Sequence, residues 1–190
     1  DILAEYDAAV AAYPEAKATY DTALVEHQAR MEKAKADGVE LTPQERRGPV
    51  EPMGPQHVKR PGALYNAMIA PLQPFAVKGA IWYQGEANAK SVAAAQQYKM
   101  LFPAVIQEWR KAWGQDRFPF LFVQLAAYSD HPAWPLLRDA QTATLALPDT
   151  AMAVSIDVGL KDNIHPPDKA TVGNRLVQAA RNAAYGEDVE

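Results

Sequence analysis

Apolar positions change their period near residue 62. Before it, Leu3, Tyr6, Val10, Tyr13, Lys17, Tyr20, Leu24, His27 and Met31 recur at alternating spacings of three and four, the stripe of one helix face. Pro14 within that stripe predicts a kink or a restart. Two structures fit such a stripe: a coiled-coil partner surface, or an amphipathic helix or bent hairpin packed on its own domain. So few turns do not separate a period of 3.5 from 3.6, and polar Lys17 and His27 weaken a seam. From Asp37 to Gly62 come Pro43, Pro49, Pro52, Pro55 and Pro61 with Gly38, Gly48, Gly54 and Gly62, the composition of an extended connector. Beyond it, Ala76 to Tyr83, Phe118 to Leu125 and Ala151 to Val158 are short apolar runs with β-branched and aromatic content, and they predict buried strands. Helical stretches from Val92 to Trp113, Leu136 to Leu147 and Asp168 to Ala184 alternate with them. Strand followed by helix, three times over, predicts an α/β domain with parallel crossovers in an open sheet covered on both faces. The expected organisation is a helical region with its connector over 1–61 and an α/β region over 62–190.

Composition narrows the function classes. The 190 residues are 48% hydrophobic and 22% charged, enough for a proper core. With 19 Lys plus Arg against 23 Asp plus Glu, the formal charge is −4, and no basic run tracks a phosphate backbone, so nucleic acid is not an expected partner. Lys78, Gln84 and Gln124 interrupt the apolar runs well short of the roughly 18 residues a membrane span needs. Without cysteine there is no disulfide framework, thiolate zinc site or cysteine nucleophile. The first residue is Asp1 rather than Met, and no charged, then apolar, leader precedes it, so the chain is expected to be processed or cut.

In an open parallel sheet, ligands bind beyond the carboxyl ends of the strands. Gln84, Gly85, Glu86 and Asn88 follow the first predicted strand. Gln124 ends the second, with Tyr128, Ser129, Asp130 and His131 beyond it; Asp157, Asp162, Asn163 and His165 follow the third. An Asp three residues before a His can accept from its Nδ1–H, fix the tautomer and leave Nε2 as a general base for a hydroxyl nucleophile. The plain alternative is an Asp162 that caps a turn and a His165 that packs on the sheet edge. A metal centre is not expected, because His27, His57 and His131 share no ligand spacing with His165. Gly85 allows close backbone approach to a ligand, and the Gln84 amide is a neutral donor suited to an oxyanion, with Glu86 orienting it or holding the loop. Equally, the segment is a strand-end turn whose aromatic pair packs.

Gly79 to Asn88 (GAIWYQGEAN), together with Asn66 to Leu72 (NAMIAPL), Val123-Gln124-Leu125, Leu137 to Gln141 (LRDAQ) and Asp162 to Lys169 (DNIHPPDK), resembles the sialate O-acetylesterase family of SGNH hydrolases, in order and across roughly 62–185. The Tyr- and Ala-rich helical stretch resembles an insertion of bacterial members. The resemblance implies a flavodoxin-like three-layer α/β/α hydrolase with a parallel sheet that removes acetyl esters from sialic acid or a related sugar through a serine acyl-enzyme, without metal or organic cofactor. It implies His165 as base and later acid, Asp162 as its orienting carboxylate, Gln84 as the oxyanion-hole side chain and Glu86 as loop support. Gln124, Arg138 and Gln141 fall in matching motifs, as does Gly85, and are expected to bind substrate or support the site. An extracytoplasmic setting, periplasmic or secreted, also follows from the resemblance alone.

The family's nucleophile lies on a glycine-containing loop after a first strand, and no such segment occurs here. Ser91 opens a helix, Ser155 lies mid-strand and Ser129 lacks a tight strand-to-helix turn. The expectation is a later part of a catalytic domain whose serine, with the first strand, lies on a preceding segment. Alone, such a chain is expected to be nearly inert, marginally stable, and a tight non-covalent partner of that segment. Two rivals remain open. One is a glycosidase using Glu86 with Asp162 or Asp157, which requires two carboxyl groups about 5 to 9.5 Å apart and one raised pKa. The other is a non-catalytic carbohydrate-binding module in which Trp82, Tyr83, Tyr128 and Trp134 stack on sugars.

Overall fold

Pro14 does not break the first helix: α1 runs unbroken over Ile2–Ala36 in the computed structural model, which describes residues 2–73, 75–128 and 131–189. An interior proline removes one backbone donor, and the Ala-, Glu- and Lys-rich turns around it are strong helix formers, so the helix does not restart there. The chain divides into two compact units, Asp1–Leu72 and Gln73–Glu190. In the first, the predicted stripe faces the connector. Gly54 lies against the Tyr13 ring so closely that a Cβ would overlap it, and Gly48 lies beside the His27 ring. Thr42 and Glu45 close the connector's own turn: Thr42 N–H donates to Glu45 Oε2 at 2.9 Å, and Glu45 N–H donates to Thr42 Oγ1 at 3.3 Å. The helix is therefore packed within its own unit. A short π-turn at Tyr65–Ile69 and a 3₁₀ turn at Ala70–Leu72 end that unit.

The second unit is the predicted α/β layer structure. Strands β1 (Ala80–Trp82), β2 (Phe120–Val123) and β3 (Thr150–Ala153) form a parallel sheet in that order, Ala80 opposite Phe120 and Phe120 opposite Thr150. Helices α2 (Val92–Trp113), α3 (Ala133–Thr144) and α4 (Lys169–Tyr185) follow the strands in turn. Alternation along β2 sends Phe120 and Phe122 into a core with Phe102 and Ile106 of α2 and Leu137 of α3, while Val123 packs with Ala153 and Val172 of α4. Two helices thus cover one face and α4 the other. Ser91 caps α2, its Oγ accepting from Ala94 N–H at 3.2 Å, as expected of a serine at that position. The strands are shorter than their apolar runs. Ile156–Val158 is a 3₁₀ turn rather than the end of β3, so Ser155 lies past the strand, not within it. Among the described residues β1 pairs only with β2, and Ile81, on the face turned from α2, is 66% exposed. No helix among the described residues is long and apolar enough to cross a membrane.

Candidate active site

Where a parallel strand ends, its last carbonyls lose their ladder partners, and α3 supplies replacements through one side chain. Gln141 is fully buried; its Nε2 donates to Gln84 O at 3.3 Å and to Val123 O at 3.2 Å, and its Oε1 accepts from Leu125 N–H at 2.9 Å. The carboxyl ends of β1 and β2 are stitched together at a fixed height. Gly85 fits into this stitch. At φ 150° it is buried against α3, and a Cβ there would sit 2.7 Å from Leu137 Cδ2 and 3.3 Å from Gln141 Nε2. Close packing on α3 requires glycine at this position.

The Gln84 side chain projects from the stitched end into a cleft of about 510 Å³ whose lining includes Tyr83, Glu86, Ile164, His165 and Lys169. Both ends of its amide are engaged. Tyr98 Oη donates to Oε1 at 3.0 Å, and Nε2 donates to Asn88 Oδ1 at 2.8 Å. Trp82 Nε1–H in turn donates to Tyr98 Oη at 3.3 Å. Burial pushes the Tyr98 hydroxyl up to about 12, and the neighbouring Glu86 charge adds to the rise, so it stays a neutral donor across the physiological range. Asn88, one 3₁₀ turn beyond, orients the amide in place of Glu86, whose carboxylate makes no hydrogen bond or ion pair among the described residues. Gln–x–x–x–Asn spacing across a short turn was the signal for Asn88. For Tyr98, six residues into α2, no local signal exists.

His165 reaches the same cleft from the opposite wall. Its neighbours Ile164 and Pro166 turn inward, Pro166 fully buried and Ile164 packed on the core, so the backbone is pinned while the ring stays exposed. The segment is anchored at both ends. Arg175 holds Asp157 in a two-point ion pair, 2.6 Å at each oxygen, and also donates to Val154 O at 2.7 Å. Asp168 caps α4, its Oδ1 accepting from Thr171 N–H at 2.9 Å. Between the anchors, Asn163 Oδ1 accepts from His165 N–H at 2.9 Å. No hydrogen bond joins Asp162 to the His165 ring among the described residues, and Asp162 is exposed. Lys169 opens α4 with its Nζ 4.9 Å from the centre of the Tyr83 ring, a cation in the cleft that the sequence reading did not single out.

Other expected residues take supporting positions. Gln124 is buried, its Nε2 donating to Thr142 Oγ1 at 3.0 Å, so it holds α3 rather than lining the cleft. Arg138 contributes its carbonyl, which accepts from Thr142 Oγ1 at 3.0 Å; its guanidinium pairs with nothing among the described residues. Ser155 is fully buried and donates to Gln124 O at 2.6 Å, a structural hydroxyl. Ser129 and Asp130 lie outside the described residues. Of the four aromatics weighed for sugar stacking, Trp82 is packed among Phe102, Trp109 and Phe120, and buried Trp134 donates to Ala126 O at 2.7 Å. Tyr83 alone of the four lines the cleft. Asp157 does not fit a glycosidase acid: its hydrogen bonds with Arg175 hold it down at about 2, where such an acid must be raised. Among the described residues no three His, Asp or Glu side chains converge as a metal site.

The family model for carbohydrate esterase, sialic acid-specific acetylesterase, matches residues 52–182. The sialate O-acetylesterase of Mus musculus is 44% identical over 149 residues, covering 67% of this chain and 27% of its own length. The Homo sapiens sialate O-acetylesterase is 40% identical over 145 residues, covering 65% and 27%. Among solved structures, a carbohydrate acetylesterase from Xanthomonas citri is 51% identical with a TM-score of 0.65, over 66% of this chain and 30% of that one. An Arabidopsis thaliana protein, 24% identical with a TM-score of 0.52 over 66% of this chain and 56% of its own, shares the fold. The chain spans about a quarter of the length of the curated relatives it matches.

Proposed function

This chain belongs to the sialic acid-specific acetylesterase family of carbohydrate esterases, and on that premise we propose that it forms the base and oxyanion-hole side of a serine esterase that removes acetyl groups from sialic acid or a related sugar. One observation carries the reading: a single cleft receives both His165 and a Gln84 amide whose orientation is fixed and whose second N–H has no protein partner among the described residues.

The serine comes from a segment of the same protein that precedes these residues. His165 Nε2 takes the serine proton as Oγ attacks the acetyl carbonyl, and the negative charge that gathers on the carbonyl oxygen meets the spare N–H of Gln84. Collapse of that intermediate expels the sugar oxygen, which receives the proton from His165, and leaves an acetyl-serine. Water, deprotonated by the same imidazole, releases acetate and restores the serine. Asp162 is the carboxylate assigned to Nδ1–H, and both residues are exposed. The residues 73–189 without their serine supply base and donor but no nucleophile, and they are inactive alone. By resemblance to its family, the enzyme acts outside the cytoplasm, in a periplasmic or secreted setting.

Fluorophosphonate labelling of the full-length protein, followed by peptide mass spectrometry, tests this reading. The adduct is expected on a serine outside these 190 residues. Labelling of Ser129 would move the nucleophile into this chain, and no labelled serine at all would overturn the esterase mechanism.

A further inference from the structure

We infer that Tyr98, itself held by Trp82, is a positioning residue that fixes which way the Gln84 amide points and so keeps an N–H available to the cleft. The inference rests on the proposed role of Gln84 as oxyanion donor. Its argument is one of directionality. An amide has an acceptor end and a donor end of nearly the same shape, and packing alone does not choose between them. An indole nitrogen only donates, so Trp82 Nε1–H at 3.3 Å occupies a lone pair of Tyr98 Oη and leaves the Tyr98 proton to be given elsewhere. The acceptor it meets is Gln84 Oε1 at 3.0 Å, with Gln84 O more distant at 3.5 Å.

Reversing the amide would set its donor end against Tyr98, leave the Tyr98 proton only the longer bond to Gln84 O at 3.5 Å, and, with Asn88 oriented as it is, place an acceptor against Asn88 Oδ1. These changes exchange a short hydrogen bond for a longer one or set two acceptors face to face, and both are disfavoured. The direction set at Trp82 therefore passes through Tyr98 to Gln84, and the Nε2 end is turned toward Asn88, 2.8 Å away, at the cleft that Gln84 lines. The Trp82 and Tyr98 rings are held in turn by the aromatic core: Tyr98 stacks on Phe102 at 5.2 Å and Trp82 on the same ring at 6.0 Å. Core packing is thereby coupled to the polarity of one group in the site, at a residue that does not line the cleft.

The test is a double-mutant cycle in the full-length enzyme, with acetate release from O-acetylated sialic acid and from 4-nitrophenyl acetate measured well below the melting temperature. Gln84→Ala is expected to lower kcat by about 10²- to 10³-fold. Tyr98→Phe, which keeps the ring and removes one donor, is expected to lower kcat by about 3- to 10-fold with KM unchanged. In the Gln84→Ala background Tyr98→Phe is expected to have no further effect, because the group it orients is gone. An equal loss in both backgrounds, a change confined to KM, or no loss would overturn the positioning role while the reading of Gln84 stands. If Gln84→Ala itself leaves kcat intact, the oxyanion reading falls and takes the inference with it. Should Tyr98→Phe not fold, Trp82→Phe reads the same coupling, with a smaller loss that again vanishes without Gln84.

Discussion

The two walls of the cleft are built on opposite principles. On the β1 side, Gln84 sits in a network of buried and half-buried amides and rings made by Gln141, Tyr98, Trp82 and Asn88. On the α4 side, His165 rides on a segment anchored at its ends by Asp157 with Arg175 and by Asp168, and it is exposed. The contrast matches the proposed tasks. An oxyanion donor is worth most when it needs no reorganisation as charge develops. A base must accept a proton on one side and deliver it on the other, and its final hydrogen bonds tighten when nucleophile and substrate arrive.

The contrast can be broken most sharply at the base. In the full-length enzyme His165→Ala is expected to lower kcat on the order of 10⁴- to 10⁶-fold while leaving the melting temperature nearly unchanged, because His165 is exposed. A loss under tenfold would remove His165 from the mechanism. The fixed wall is expected to answer differently. Gly85→Ala forces a Cβ against Leu137 and Gln141 at a φ that side chains rarely adopt, so stability should fall by about 1–3 kcal/mol together with activity. Denaturant titration and kcat measured on one preparation check whether the two losses travel together; an inactive but fully stable variant would mean that the stitch does not hold the site.

The smallest effects sharpen the comparison by pH. Tyr98, pushed up to about 12 by burial, keeps its proton in the folded state while the unfolded chain loses it near 10. Its contribution is therefore complete below pH 10 and lost as pH rises through 12, and Tyr98→Phe should flatten that alkaline limb. Asp157, held down at about 2 by its hydrogen bonds to Arg175, behaves in the opposite sense. Its contribution is present above about 4 and lost as pH falls through 2, and Asp157→Asn should flatten the acid limb, slightly, since the pair is exposed. Melting curves from pH 2 to 12 would show the β1 wall failing in alkali and the α4 wall in acid; limbs unchanged in either variant would contradict the assignment.

Much of this was legible in the chain itself. Val92 to Trp113 is the second helix to the residue, because Ser91 caps it and its apolar period is unbroken despite Pro103. The strand runs located the sheet but overstated its length: apolar residues continue past the last ladder bond into loops that are also buried, and burial is what an apolar run reports. Pro14 misled for a related reason, since a local preference was weighed without the thirty-four other residues of the helix it sits in.

Sequence by itself determined the order of strands and helices, the polar residues at the strand ends and the family, because period and motif are properties of adjacent residues. Only the tertiary structure decided that Gln124 and Ser155 hold the frame instead of lining the cleft, and that Tyr98 bonds to Gln84. Those relations run between residues up to 31 positions apart, as in the bond from Ser155 to Gln124. A hydrogen bond's direction depends on which donor-only group closes the chain, and that is settled when helices and sheet pack, not along the sequence.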